Sequence, residues 1–224
     1  MTDKNNLPVT DTRDAVEKMT GFWYQYSKQI LIGLAAILIV GGGIFGYSYF
    51  ISGPNEKKAS EAMRYAEEFF RKDSVKLALE GDNLNPGFLK IISKYSGTKA
   101  ANLANFYAGS CYLTMGDFKN AAKHLEAFST SEPLVKARAK ALLADADSEL
   151  GKKDEAVKLY KEAGSIFEKD DFYSPQYLFR AGYLYESMGK TKEAIEVYKM
   201  IKEKYPQYKE VDIDKYLGRL GNTE

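Results

Sequence analysis

Between Tyr177 and Ile201, apolar residues fall at helical spacing in two halves separated by Gly189, which predicts a pair of antiparallel helices. Gly182 and Ala194 are small, as two backbones approaching closely require. Tyr185 and Tyr198 fill the wider gaps, and Pro206 ends the second helix because it has no N–H to donate. The same pattern returns twice upstream. Glycine is followed five residues later by alanine at Gly116/Ala121, Gly151/Ala156 and Gly189/Ala194, with 35 and 38 residues between the alanines. A near-constant period of this length predicts an all-α array in which each helical pair buries its face against the next.

The first unit carries Gly109, Tyr112, Gly116, Ala121, Leu125 and Pro133, and the second Ala144, Gly151, Ala156, Tyr160 and Ala163. These residues resemble the tetratricopeptide repeat (TPR), whose period is about 34 residues. The units fall at about 102–133, 137–168 and 175–206. Unit two departs most, with Asp147 where the others carry Tyr112 and Tyr185 and with no closing proline. The extra residues before unit three sit around Asp170-Asp171-Phe-Tyr-Ser-Pro175, a turn-rich loop. Helices within 56–95, Glu56–Lys76 and Phe88–Lys94, are expected to cap the first face of the array. A short helix within 211–220, built on Ile213, Tyr216, Leu217 and Leu220, is expected to close the last.

Ahead of residue 52 the pattern changes. No charged residue occurs from Gln29 to Asn55, and Ile30–Ile51 is apolar over a length that crosses a hydrocarbon core of about 30 Å. Trp23, Tyr24 and Tyr26 flank one end and Tyr47, Tyr49 and Phe50 the other, as interfacial aromatics do. A cleaved signal peptide would have a shorter tail, a shorter apolar core and small residues at its cleavage site, so residues 30–51 read as a retained transmembrane helix. Residues 1–10 carry no pattern. Residues 11–28 read as an amphipathic lead-in along the membrane surface, capped by Asp11 or Thr12, with Val16, Met19, Trp23 and Tyr26 on one face. Lys and Arg are nearly balanced across the span, so charge leaves its orientation open. Gly42 and Gly46 form a G-x-x-x-G pair, which reads either as a packing face for a partner helix or as the ordinary abundance of glycine in membrane helices.

Charge adds little, since a net +1 offers no electrostatic footprint for nucleic acid. The chemistry expected of an enzyme is missing from the sequence. Cys111 is the single cysteine and lies on an apolar stripe, so it reads as a core thiol. His124 is the single histidine and reads as a packing residue. The stretch Asp82–Gly87 fails as a calcium loop because Leu84, Pro86 and Ser93 stand where ligands are needed. No phosphate-cradling loop or nucleophile triad is visible, and neither a cofactor nor a small-molecule substrate is expected.

The expected site is the concave face of the array, lined by the first helix of each unit: Phe106, Ser110 and Leu113, then Ala141, Asp145 and Ser148, then Phe179, Tyr183 and Glu186. TPR grooves that clamp a peptide carboxylate carry lysine, asparagine and arginine there. Phe106, Ala141 and Phe179 stand where such a lysine would sit, which points to apolar segments or a partner's helix, the other reading being that some of these aromatics only pack the solenoid.

The run Asp14-Ala-Val-Glu-Lys-Met-Thr-Gly-Phe-Trp-Tyr-Gln-Tyr-Ser-Lys28, followed by Ile-Leu-Ile-Gly33 and a glycine-rich span, resembles the YfgM family of ancillary Sec translocon subunits. Leu77–Asp82, Gly87–Ile92 and Tyr95-Ser-Gly-Thr98 are similar to the version found in Bacteroidetes. The resemblance implies a single-pass protein of the bacterial inner membrane, with its N-terminus cytoplasmic and its repeats periplasmic. It also implies contact with SecYEG channel subunits and pairing with a membrane-anchored periplasmic chaperone of the prolyl-isomerase type. The alternative is a TPR scaffold for cell-envelope assembly or division, and a third reading is an anchored TPR receptor facing the cytosol.

Overall fold

The computed structural model describes residues 12–47 and 53–222, and the chain divides into two compact units at Pro54/Asn55. In the first, α1 (Thr12–Tyr47) is a single helix of 36 residues. The lead-in and the span, expected as separate elements, run through as one. The sequence contains no proline between them, and Gly21 and Gly33 alone do not stop a helix. Within α1, Val16–Gly43 is long and apolar enough to cross a bilayer. Ile32 is 69% exposed and Leu38 74%, so these side chains have no protein cover in this unit. The unpatterned tail, the Asp11 cap and the expected end of the span with Tyr49 and Phe50 lie outside the described residues.

Among its described residues the second unit is built of helices joined by turns and loops. Its cap has three helices where the sequence suggested two: α2 (Gly53–Arg71), α3 (Val75–Glu80) and α4 (Phe88–Lys94). The expected long helix is broken after Arg71 because Asp73 takes a left-handed conformation, φ +54°, and turns the chain. Ala59, Ala62, Met63 and Ala66 of α2 pack with Phe88 and Ile91 of α4 in one buried cluster. The Glu56 carboxylate accepts the backbone N–H groups of Lys99 at 2.7 Å and Ala100 at 2.9 Å. Those are orphan donors at the start of α5 (Lys99–Thr114), so a residue 43 positions upstream caps that helix.

The pairs follow as α5 with α6 (Phe118–Ala127), α7 (Pro133–Glu149) with α8 (Lys153–Ile166), and α9 (Tyr173–Ser187) with α10 (Thr191–Lys204). Gly116, Gly151 and Gly189 turn each pair at φ +76°, +79° and +73°. The small residues act where the spacing put them. A Cβ on Gly182 would lie 2.5 Å from the Tyr198 ring, and one on Gly109 would lie 2.5 Å from Leu125 Cγ. Pro133 does not close unit one: α6 ends at Ala127, and Pro133 is the first residue of α7, where a missing N–H costs nothing. Asp147 is buried and pairs with Lys152 Nζ at 3.0 Å, which is how unit two tolerates a carboxylate at a tyrosine position. The closing helix α11 (Ile213–Arg219) seats Ile213 and Leu217 in the core shared by units two and three.

Candidate protein-binding groove

Most of the residues expected on the concave face are held by the array itself. The Asp145 carboxylate accepts the Tyr160 hydroxyl at 2.5 Å and Arg180 Nη1 at 2.7 Å, tying α7 to α8 and to the first helix of the next unit. Glu186 repeats the device at the end of the array, accepting the Tyr198 hydroxyl at 3.2 Å and Arg219 Nη2 from α11. Phe179 lies 4.9 Å from the Tyr216 ring and 5.9 Å from that of Tyr198. Ala141 is buried, and Leu113 packs against the buried trio Ala121, Ala122 and Ala146. Ser110 donates to the Phe106 carbonyl, and Ser148 is half-buried with its carbonyl accepting the Gly151 N–H. Tyr183 is exposed. These tyrosine–carboxylate–arginine clamps explain why an acidic, aromatic face in sequence is largely an internal joint in three dimensions.

Phe106 is different. It faces a cavity of about 930 Å³ with three walls. Leu103, Phe106 and Tyr107 of α5 form one, and Leu134, Val135, Ala137 and Arg138 of α7 the second. The loop from Phe167 to Phe172, with Tyr173 and Tyr177 of α9, forms the third. Leu134 is 50% exposed and Phe172 51%, so large apolar side chains stand open to solvent on two walls. On the first wall, Phe106 packs against Phe128 at 5.3 Å, and Tyr107 stacks on Phe88 at 5.1 Å.

The loop wall is held by its own bonds. The Phe167 carbonyl accepts the Asp170 N–H at 2.9 Å and the Ser174 hydroxyl at 3.0 Å. Asp170 Oδ1 in turn accepts the N–H groups of Phe172 and Tyr173 at the start of α9. Burial raises the hydroxyl pKa of both Tyr107 and Tyr177, so each stays a neutral donor at physiological pH. The groove is largely apolar and aromatic, with Arg138, Lys169, Asp170 and Asp171 also on its lining. Its position was legible in one respect, because the inserted residues before unit three are this wall. The contributions of Leu134 and Val135 were not, since α7 starts before the expected unit.

Cys111 is fully buried, and burial pushes its thiol up to about 12. His124 hydrogen-bonds Asn105 Oδ1 at 2.9 Å and stacks on Tyr112. Among the described residues no three His, Cys, Asp or Glu side chains gather as a metal site would need.

Residues 20–216 match the family of tetratricopeptide repeat-like domains. The chain belongs to that family. The match takes in the apolar part of α1 as well as the repeats. None of the curated proteins matches this chain. Among solved structures, the TPR-like array resembles the crystal structure of MamA protein, with a TM-score of 0.54 and 18% identity over 67% of this chain and 74% of that one. It also resembles a putative kinesin light chain of Podosopora anserina with nearly identical TPR-like repeats, with a TM-score of 0.52 and 16% identity over 65% and 74%. At such identities the likeness is one of fold. A TPR-like domain is a scaffold for protein–protein interaction, which implies protein partners in general.

Proposed function

We propose that this chain is a membrane-anchored TPR adaptor that holds an apolar segment of another protein in the groove between α5, α7 and the 167–173 loop. The observation that carries the reading is the open apolar groove itself, with Leu134 and Phe172 half exposed on its walls. Anchoring is supported by α1, whose apolar side chains find no protein cover in their own unit. The finer placement is at the Sec export channel of a bacterial inner membrane, with the repeats periplasmic. There the partners are SecYEG subunits together with a prolyl-isomerase-type chaperone or an emerging chain. That placement is supported by the resemblance of Asp14–Lys28 and the span that follows to the YfgM family.

The test is a mild-detergent pull-down of the tagged full-length protein, with mass spectrometry of what accompanies it, run beside Val135→Asp. Channel subunits and a periplasmic chaperone accompanying the wild type, with the groove-held partner lost from the variant while the channel subunits stay, are the expected result. Division or cell-wall proteins in their place move the envelope-scaffold reading to the front. A C-terminal reporter active only in the cytoplasm overturns the periplasmic placement.

A further inference from the structure

Residues 11–28 are expected from sequence to lie along the membrane surface, where their apolar side would meet lipid. That needs a sharp bend at the interface, and α1 has none: it is unbroken from Thr12 to Tyr47 and contains no proline. At 1.5 Å per residue its 36 residues reach about 54 Å, more than the 40–45 Å or so of a whole bilayer. With the hydrocarbon core beginning at Ile30, the lead-in carries the helix about 27 Å out from it. Val16, Met19, Phe22 and Trp23 are exposed there, on a helix with no protein cover in its own unit.

Their spacing says what covers them. Val16, Met19, Trp23, Tyr26 and Ile30 alternate three and four apart, a heptad with Val16, Trp23 and Ile30 at a and Met19 and Tyr26 at d. Of the flanking e and g positions, Thr20, Ser27 and Gln29 are uncharged, and Phe22 leans on the Tyr26 ring at 4.9 Å. Glu17, Lys18 and Lys28 fall on b, c and f, away from the seam. A helix that chooses a foreign partner carries charges at e and g; with none there, an identical copy meets no like charge. The Thr20 hydroxyl donates to the Val16 and Glu17 carbonyls at 2.9 and 3.0 Å, so it needs no water beside a dry seam. Val16, Met19, Thr20 and Trp23 also line one concavity. These are a, d, e and the next a, the four residues that receive a d-position knob from a parallel partner.

We propose that the chain pairs with a second copy of itself through α1, the helices parallel and in register, with Met19 of each seated among Val16, Met19, Thr20 and Trp23 of the other. This rests on the reading of α1 as a membrane anchor. Copies inserted in one direction can pair only in parallel, and confinement to the bilayer raises their effective concentration. The glycine side stays free, since Gly42 lies about 140° around the helix from Ile37, the next a position.

The test is disulfide trapping in membranes from cells making the full-length chain. Met19→Cys and Tyr26→Cys mark the seam, and Gly21→Cys and Gln25→Cys the outward side. Wild type gives the background, because its single Cys111 is buried. Carbonate extraction first shows that each variant stays in the membrane, and copper phenanthroline then oxidises it. The expected product is a species of twice the chain mass, at least about fivefold more abundant for the seam positions, since these alone approach disulfide distance. Copies with two different tags should be captured together, and Met19→Asp should reduce that capture about tenfold, as a charge buried in a seam does. Equal trapping at all four positions, or trapping at none, overturns the pairing. So does a product of another mass, which would give the seam to a different protein. Release of the wild type by carbonate would instead remove the anchored reading, and the pairing with it.

Discussion

Gly182 and Gly189 are seven residues apart in the same unit and are glycine for different reasons. At Gly182 the obstacle is space, since a Cβ would meet the fully buried Tyr198 ring at 2.5 Å. At Gly189 the space is open and the obstacle is the backbone, with φ at +73°. Gly182→Ala is expected to lower stability by about 1–3 kcal/mol through overpacking, and Gly189→Ala by about 1–2 kcal/mol through the left-handed backbone. Asparagine separates them: it tolerates that conformation, so Gly189→Asn recovers stability relative to alanine, while Gly182→Asn is worse than alanine. Thermal melting of the full-length variants reads both. Buried acids make a second prediction at this scale. Burial raises the thiol pKa of Cys111 to about 12. It also raises the hydroxyls of Tyr160 and Tyr198, with Asp145 and Glu186 adding to the effect. The unfolded chain releases these protons from about 9.0 and 10.0 upward while the folded chain keeps them, so their contribution is complete below pH 9 and is lost as pH rises above it. Melting temperature should fall steeply above pH 9, and Cys111 should resist iodoacetamide at pH 8 until urea unfolds the array.

Among elements, the joints carry the argument. Glu56 fastens α2 to the start of α5 through two backbone N–H groups. Glu56→Ala is expected to cost about 1–2 kcal/mol, as loss of a helix cap does, and hydrogen exchange should show α2 opening before the repeats. The Asp145 joint is asymmetric. Asp145→Ala strips the partner from a Tyr160 hydroxyl that is only 6% exposed as a residue, so it should cost about 1–3 kcal/mol. Arg180→Ala leaves Asp145 bonded to Tyr160 and exposes little, so it should cost less. A double-mutant cycle across Asp145 and Arg180 checks the order, and equal losses would show that the tyrosine bond contributes nothing.

For the whole molecule, the question is whether the anchor and the array act together while folding apart. The chain divides at Pro54/Asn55, and the buried clusters of the array lie entirely beyond that point. Of the two readings of the Gly42 and Gly46 pair, a packing face for a partner helix predicts a clean separation. Gly42→Leu with Gly46→Leu should reduce co-purification of membrane partners several-fold, as loss of a close-packed helix face does, with melting of the repeats unchanged. Unchanged co-purification in that double variant would remove the docking face. Val135→Asp should do the reverse, keeping the membrane partners of α1 while losing those held in the groove.

Periodicity and residue size decided much of this protein without any coordinates. Glycine at the turns, alanine at the crossings and tyrosine in the wider gaps specify a helical array, because each depends on local backbone conformation or on a neighbour at fixed sequence distance. The 22-residue apolar stretch Ile30–Ile51 was equally legible from length and hydropathy. Tertiary structure decided which polar and aromatic residues remain available. Asp145, Phe179 and Glu186 occupy groove positions by count, yet they are engaged by Arg180, Tyr216 and Arg219 of the next unit or the closing helix, side chains that the pattern within one unit does not contain. The open groove likewise joins α5, α7 and an inserted loop that are separated by tens of residues. Its existence depends on how the pairs stack, a property of packing between units that the pattern within one unit does not contain.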